Sequence, residues 1–321
     1  MYKLSIIIPV HNTQQYLKRC IDSIILGQEF PIEIIVVDNK SNENYESIIK
    51  EYDCVKLINL DENLGPGGAR NIGFTNSNSE YIAFCDSDDW VDSNFYTDII
   101  KMLDSSGADI GIGGIKRSFP YNSNDRIVKC RFDKKYLLNS DIFFRIMTEE
   151  YDTGLMIPSS SVNRIYRKSF LVNNEILFQE KTFYEDLLFS VKVGLSLKKA
   201  ICVPNTYYHH FKRVGSITQS FNQKHIDNFK EIFLNIRKYM VQKQVFEKYM
   251  IGYYKFCEHF FNLVIRQLFE YEQDEIIRKQ YIKKALDAFQ SVTVLDEYIE
   301  CYTSEDLRKH IQPLIENTII N

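Results

Sequence analysis

Short β-branched runs alternate with segments of helical period through the first hundred residues. Residues 3–10 (KLSIIIPV), 32–38 (IEIIVVD), 55–60 (VKLINL) and 80–86 (EYIAFCD) predict strands, since each is a brief apolar run closed by a turn or an acid. Between them, 16–26, 44–52, 67–77 and 94–107 predict helices, the last stopped by Gly107. Such alternation predicts an α/β fold, a mostly parallel sheet flanked by helices. Residues 110–222 are less regular: IGIGGIKRSF, a polar loop around 120–126, SSSVNRIYRKSFL, FYEDLLFSVKVGLSL and AICVPNTYYHHFKRVGSIT follow in order. From about 223 the pattern is wholly helical, with Phe229, Ile232, Phe233, Ile236 and Met240 on one face. Two domains are therefore expected, 1–220 and an all-helical module over 221–321.

In parallel sheets, ligands gather beyond the carboxyl ends of the strands. Here those ends carry Pro9–His11, Asp38–Ser41, Asp61–Asn63 and Asp86–Asp89, so four polar clusters converge on one edge.

The charge balance narrows the chemistry. There are 39 Lys and Arg against 43 Asp and Glu, which gives no global basic signal for nucleic acid. The seven cysteines are scattered and form no CxxC pair, which reads as reduced thiols in the cytosol. The N-terminus does not read as a secretory signal, and no run of eighteen uncharged apolar residues predicts a membrane span.

Two segments carry candidate chemistry. CDSDDWVD places Asp86, Asp88, Asp89 and Asp92 at a strand end, and carboxylates this close repel unless a cation or donors compensate. Asp86 and Asp88 can share Mg²⁺ or Mn²⁺, which takes one or two protein carboxylates and completes its shell with phosphate and water. The same stretch also suits a turn in which Asp92 or Ser93 caps the next helix. In DENLGPGGARN, glycines at 65, 67 and 68 admit close backbone approach, and Arg70 adds a fork of donors for phosphate or carboxylate. A dinucleotide loop fails here on spacing, because the glycines follow the third strand and not the first.

SIIIPVHN, IIVVDNKS, NLGPGGARNIGF, YIAFCDSDDW, FYEDLLFS and FKRVGSIT occur in one order and spacing over residues 1–220. In this the chain resembles the family 2 glycosyltransferases, bacterial enzymes of surface-glycan or glycoprotein biosynthesis with a GT-A type nucleotide-binding domain. The resemblance implies that Pro9, Val10, His11 and Asp38 cradle the base and ribose. It places Asn63, Gly68, Arg70 and Asn71 beside the nucleotide. Asp86 and Ser87 would lie near the sugar or ribose. Asp88 would be the main metal ligand with Asp86; either His209 or His210 could touch metal or phosphate, only one of them facing inward along the strand, and a satisfied structural histidine is the alternative. Arg213 and Ser216 would border the diphosphate. Asp186 would be the base that takes the acceptor hydroxyl's proton, with Glu185 contacting acceptor or sugar. The acidic pair equally suits the favourable dipole of a helix start. Arg164 and Lys168 read first as solvated surface, with reach to acceptor or phosphate the alternative.

The implied reaction is inverting transfer of a hexose or N-acetylhexosamine from a nucleotide-sugar, expected to be a UDP-sugar. The acceptor would be a hydroxyl on a glycan, lipid-linked or protein-linked molecule. One departure stands out: many relatives read Asp-Asp-Gly-Ser where this chain reads Asp38-Asn39-Lys40-Ser41, so contacts to the donor base are open. A catalytically silent nucleotide-sugar-binding partner is the rival reading. The tail, with seven Lys and Arg against three Asp and Glu over 224–255, suits core packing, a homodimer interface or peripheral contact with anionic lipid.

Overall fold

The computed structural model describes residues 2–119, 122–151, 154–213 and 219–293, with the backbone alone over 122–129. The described residues divide into two compact units: 2–147 with 154–213, and 148–151 with 219–293.

The first unit is built on a ten-stranded sheet. Strands β1 (Tyr2–Val10), β2 (Ile32–Asp38), β3 (Val55–Asn59) and β4 (Ser79–Phe84) are parallel in the order β3-β2-β1-β4. The β1 run Leu4, Ile6, Ile7 and Ile8 is fully buried, because this central strand has cover on both faces. Helices α1 (Gln14–Ile25), α2 (Glu46–Ile49), α3 (Gly65–Thr75) and α4 (Phe95–Ser106) connect and flank these strands. α4 ends at Gly107 in the left-handed conformation.

Beyond β4 the sheet becomes mixed. β9 (Arg164–Arg167) pairs antiparallel with β4 and with β6 (Ile110–Phe119). β10 (Ala200–Phe211) then pairs parallel with β6. β5 (Trp90–Val91) and β8 (Tyr136–Leu138) add antiparallel pieces to β10. Six strands (β1, β2, β3, β4, β6 and β10) thus run in one direction. Helices α5 (Ser140–Met147), α6 (Lys168–Asn173) and α7 (Glu185–Ser196) complete the unit.

Three expectations need correction. In the polar stretch around 120–126, residues 122–126 belong to a strand, β7 (Asn122–Cys130), which pairs antiparallel with β6, while 120 and 121 lie outside the described residues. Neither Asp92 nor Ser93 caps α4; its N-cap is Asn94, whose side chain makes no capping bond and donates instead to Asp98 at 2.6 Å. Arg164 is not solvated surface but fully buried, its guanidinium over the Phe143 ring.

The chain order puts a topological switch between β1 and β4. From β1 it moves outward to β2 and β3, then returns to β4 on the other side of β1. Crevices form where the sheet reverses order in this way. α3 packs tightly across the switch, since a Cβ on Gly73 would come within 2.3 Å of Ile7.

The second unit holds α8 (Gln223–Gln242), α9 (Phe246–Tyr271) and α10 (Glu275–Val292). Phe229, Ile232, Phe233, Ile236 and Met240 are all buried, so the face read from the sequence is the core of this unit. Phe229–Phe233 and Phe261–Phe289 centroids lie 4.9 and 4.6 Å apart. Asn222 caps α8 in a reciprocal box with His225. Among the described residues, no helix is long and apolar enough to cross a membrane.

Candidate active site

At the switch, three elements bring charge together. Arg70 sits in the second turn of α3 and is only 3% exposed. Its Nη2 donates to Asp86 at 2.7 Å, and its Nη1 donates to Glu185 at 2.6 Å and lies 3.8 Å from Asp186. Burial alone would lower the guanidinium's pKa, but Asp86, Asp186 and Glu185 outweigh it and raise it. Gly67 permits this arrangement, because a Cβ there would stand 2.4 Å from the Gln179 carbonyl and 3.1 Å from Glu185 Cβ.

The acids respond to the same crowding. Burial pushes Glu185 up to about 8 against the pull of Arg70. Asp186 is also raised by burial, with Arg70 and the Ser161 hydroxyl opposing. Burial and the Asp86 charge raise Asp88, although Arg213 Nε donates to it at 2.5 Å.

The four aspartates separate into two pairs with different work. Asp86 and Asp88 meet arginines. Asp89 is fully buried and accepts from Tyr208 Oη at 2.6 Å and Phe211 N–H at 2.7 Å. Asp92 accepts from Tyr207 N–H at 3.1 Å and pairs with His209 Nε2 at 2.7 Å. Asp89 and Asp92 therefore pin the end of β10 to the acidic loop, and so carry Arg213 to Asp88.

The remaining candidates fall at nearby strand ends and on α3. Val10 O accepts from Asn39 N–H, and His11 Nδ1 bonds Asn39 O at 3.1 Å. Pro9 precedes them on β1. Asp38 is buried and accepts from Ser41 N–H at 2.9 Å, closing the turn after β2. Asn63 Oδ1 accepts from the Asn39 amide and from Gly65 N–H. Gly68 packs on Leu64 and Glu180. Asn71 gives both amide atoms to the Phe178 backbone, which clamps the loop before α7. Ser87 is buried against the Thr13 hydroxyl at 2.8 Å. His209 is buried and stacked on Trp90, while His210 is half-buried. Ser216 lies outside the described residues.

Sequence reasoning missed Ser161, which donates to Asp186 at 2.7 Å. It also missed Arg19, which donates to the Asp88 carbonyl at 2.5 Å and covers Trp90 at 4.1 Å. No local pattern marks either residue, because their partners lie 25 and 69 positions away.

A mixed α/β sheet with charge gathered at its switch point is a class of fold that takes ligands in that crevice. The chain belongs to glycosyl transferase family 2, whose family model matches residues 5–172. GlyA of Streptococcus pneumoniae serotype 4 is 28% identical over 231 residues, covering 69% of this chain and 32% of GlyA. TarS of Staphylococcus aureus, a poly(ribitol-phosphate) β-N-acetylglucosaminyltransferase, is 28% identical over 224 residues, 67% of this chain and 36% of TarS. The chain thus spans about a third of these two relatives. A cholesterol galactosyltransferase of Borreliella burgdorferi is 22% identical over 94% of this chain and 86% of its own. The crystal structure of S. aureus TarS 1–349 shares the GT-A fold at TM-score 0.72 and 20% identity, over 98% of this chain and 88% of that one. The same TarS segment with UDP-GlcNAc matches at TM-score 0.61 and 21% identity, over 90% of each chain.

Proposed function

We propose that the chain is an inverting, metal-dependent glycosyltransferase that moves a hexose or N-acetylhexosamine from a UDP-sugar to an acceptor hydroxyl. The acceptor would be a glycan, a lipid-linked or a protein-linked molecule of bacterial surface-glycan biosynthesis. One observation carries the reading: a single buried arginine joins Asp86, of the motif expected at the donor, to Glu185 and Asp186, the pair expected at the acceptor. The UDP and UDP-GlcNAc complexes of TarS support the choice of nucleotide.

The donor set fits a hard divalent cation. Asp86 and Asp88 offer two oxygen ligands, and burial together with the Asp86 charge raises Asp88 despite Arg213. Among the described residues no cluster of three or more His, Cys, Asp or Glu could hold a metal. Two carboxylates are what Mg²⁺ or Mn²⁺ takes when phosphates complete its shell. Asp88 would hold it with Asp86, while His209 already pairs with Asp92. When bound, the cation would neutralise charge on the leaving diphosphate.

The chain's own residues then divide the work. Asp186 would take the proton of the acceptor hydroxyl as its oxygen attacks the anomeric carbon. Arg70 would keep the donor loop and the base in fixed relation. Asn39 weakens neither reading: its side chain bonds Asn63 and Leu64 N–H, holding two loops together. The six described cysteines are free thiols, which suits action in a reducing cytoplasm.

The test follows free nucleotide from a panel of UDP- and GDP-sugars with Mn²⁺ or EDTA. Release from one donor, abolished by EDTA, by Asp88→Ala and by Asp186→Asn, is expected. UDP binding without release, persisting with acceptors supplied, would instead favour a nucleotide-sugar-binding partner.

A further inference from the structure

Resting on the assignment of Asp186 as base, we propose that Ser161 is a positioning residue that holds the Asp186 carboxyl in place to receive the proton. Ser161 Oγ donates to Asp186 Oδ1 at 2.7 Å, and the nearest Arg70 nitrogen addresses the same oxygen at 3.8 Å. The Ser161 backbone N–H also addresses the Asp186 carboxyl, so this one residue is its main hydrogen-bond partner. The Asp186 side chain is 28% exposed, whereas Ser161 is fully buried. One oxygen is thus anchored from inside while the carboxyl still reaches solvent.

Ser161 is itself held in place. Its carbonyl accepts from Tyr166 Oη at 3.1 Å, and Tyr166 is packed against Phe84 and Phe189. The preceding residues are held from two sides. Arg164 donates to the Pro158 carbonyl and, at 3.3 Å, to Ser190 Oγ. Ser190 in turn donates to the Ser159 carbonyl at 3.0 Å. The Arg164 guanidinium is buried, and its two terminal nitrogens hold this loop. Asp186 and Ser190 are four residues apart on α7, so one helix face carries both the base and the anchor of the loop that orients it.

The charged and titratable groups facing Asp186 are Arg70 on α3, Asp86 after β4, Glu185 on α7, and Tyr166 on β9. Arg70 cannot replace the lost hydroxyl, since it already bonds Glu185 and Asp86. Removing the Ser161 donor therefore leaves the Asp186 carboxylate less stabilised.

The experiment labels aspartate with ¹³C at the carboxyl and follows Asp186 by NMR in the free protein, its signal assigned through Asp186→Asn. Ser161→Ala is expected to raise the titration midpoint by about one pH unit, the worth of one hydrogen bond to a charged group. Ser161→Thr keeps the hydroxyl and should restore the wild-type midpoint, with thermal melts confirming that both variants fold. A midpoint unmoved in Ser161→Ala would overturn the proposal and leave Ser161 a packing residue. With the active donor from the panel, Ser161→Ala should lower kcat about tenfold or more with donor KM unchanged; a raised KM alone would also count against it. If Asp186→Asn keeps turnover, the base assignment falls, while the titration still decides whether Ser161 controls the carboxyl.

Discussion

Arg70 shows what one residue contributes when its donors diverge. Its two terminal nitrogens address carboxylates on different elements, a geometry that a lysine's single ammonium cannot copy. Arg70→Lys is expected to cost about 3 kcal/mol in urea unfolding, as breaking a buried pair does, and to abolish nucleotide release. A folded variant with normal turnover would show that the arginine only supports the fold. A second residue sits in a strained position. Lys40 has φ +60°, the left-handed region that glycine adopts without strain. An L-residue there costs roughly 1–2 kcal/mol, and glycine loses roughly 0.5–1 in chain entropy. Lys40→Gly should therefore raise stability by about 0.5–1 kcal/mol, seen as a higher urea midpoint at unchanged slope. The acidic loop, the glycine turn and the Glu185–Asp186 pair were all legible in the sequence as residues that could do chemistry. Ser161 was not, nor was the burial of Arg164, because a serine or arginine carries no sign of its partner until the chain has folded.

At the scale of elements, periodicity revealed the parallel strands and their helices because β1, β2 and β4 are buried as continuous apolar runs. β7, β5 and β8 escaped it: each is short or polar and owes its conformation to a neighbour. The two scaffolding aspartates belong to this level. Asp89→Ala would leave Tyr208 Oη and Phe211 N–H without their acceptor, at a cost of about 3 kcal/mol in chemical denaturation. It should also weaken UDP binding, measured by calorimetry, because Arg213 follows the strand end; full-strength binding would refute the staple. Glu33 ties β2 to β1 and to the start of β4 in another way. Burial alone would raise its carboxyl, but Lys56, Ser5 and the Asn78 N–H together hold it below the ordinary value of 4.5. A depressed carboxylate stabilises fully above its unfolded pKa, and that contribution is lost as pH falls through the folded one. Glu33→Gln should thus cost roughly 2 kcal/mol at pH 7 and clearly less at pH 3, compared by urea unfolding at both.

The whole molecule has a second unit whose core aromatic residues pack on one another, while Phe269 and Tyr271 at the end of α9 stay exposed. Its membership also crosses the order of the chain: residues 148–151 join it, although the chain on both sides belongs to the first unit. No composition shift marks so short an excursion, and the signal appears instead on α9. Gly252 stands inside that helix, where glycine costs roughly 1 kcal/mol relative to alanine. Such a residue is explained by close approach: a Cβ there would come within 2.5 Å of Thr148 Oγ1 and 3.0 Å of Glu150 Oε2. His259 adds a contact to Glu149 at 3.1 Å. Gly252→Val would push the segment off the helix. It should lower stability by about 2 kcal/mol, within the range for overpacking, and open a protease site near residue 150. The melting temperature and the cleavage position report this together. A variant that melts as wild type and resists cleavage would mean that 148–151 is not held by α9, and that the glycine serves the helix alone.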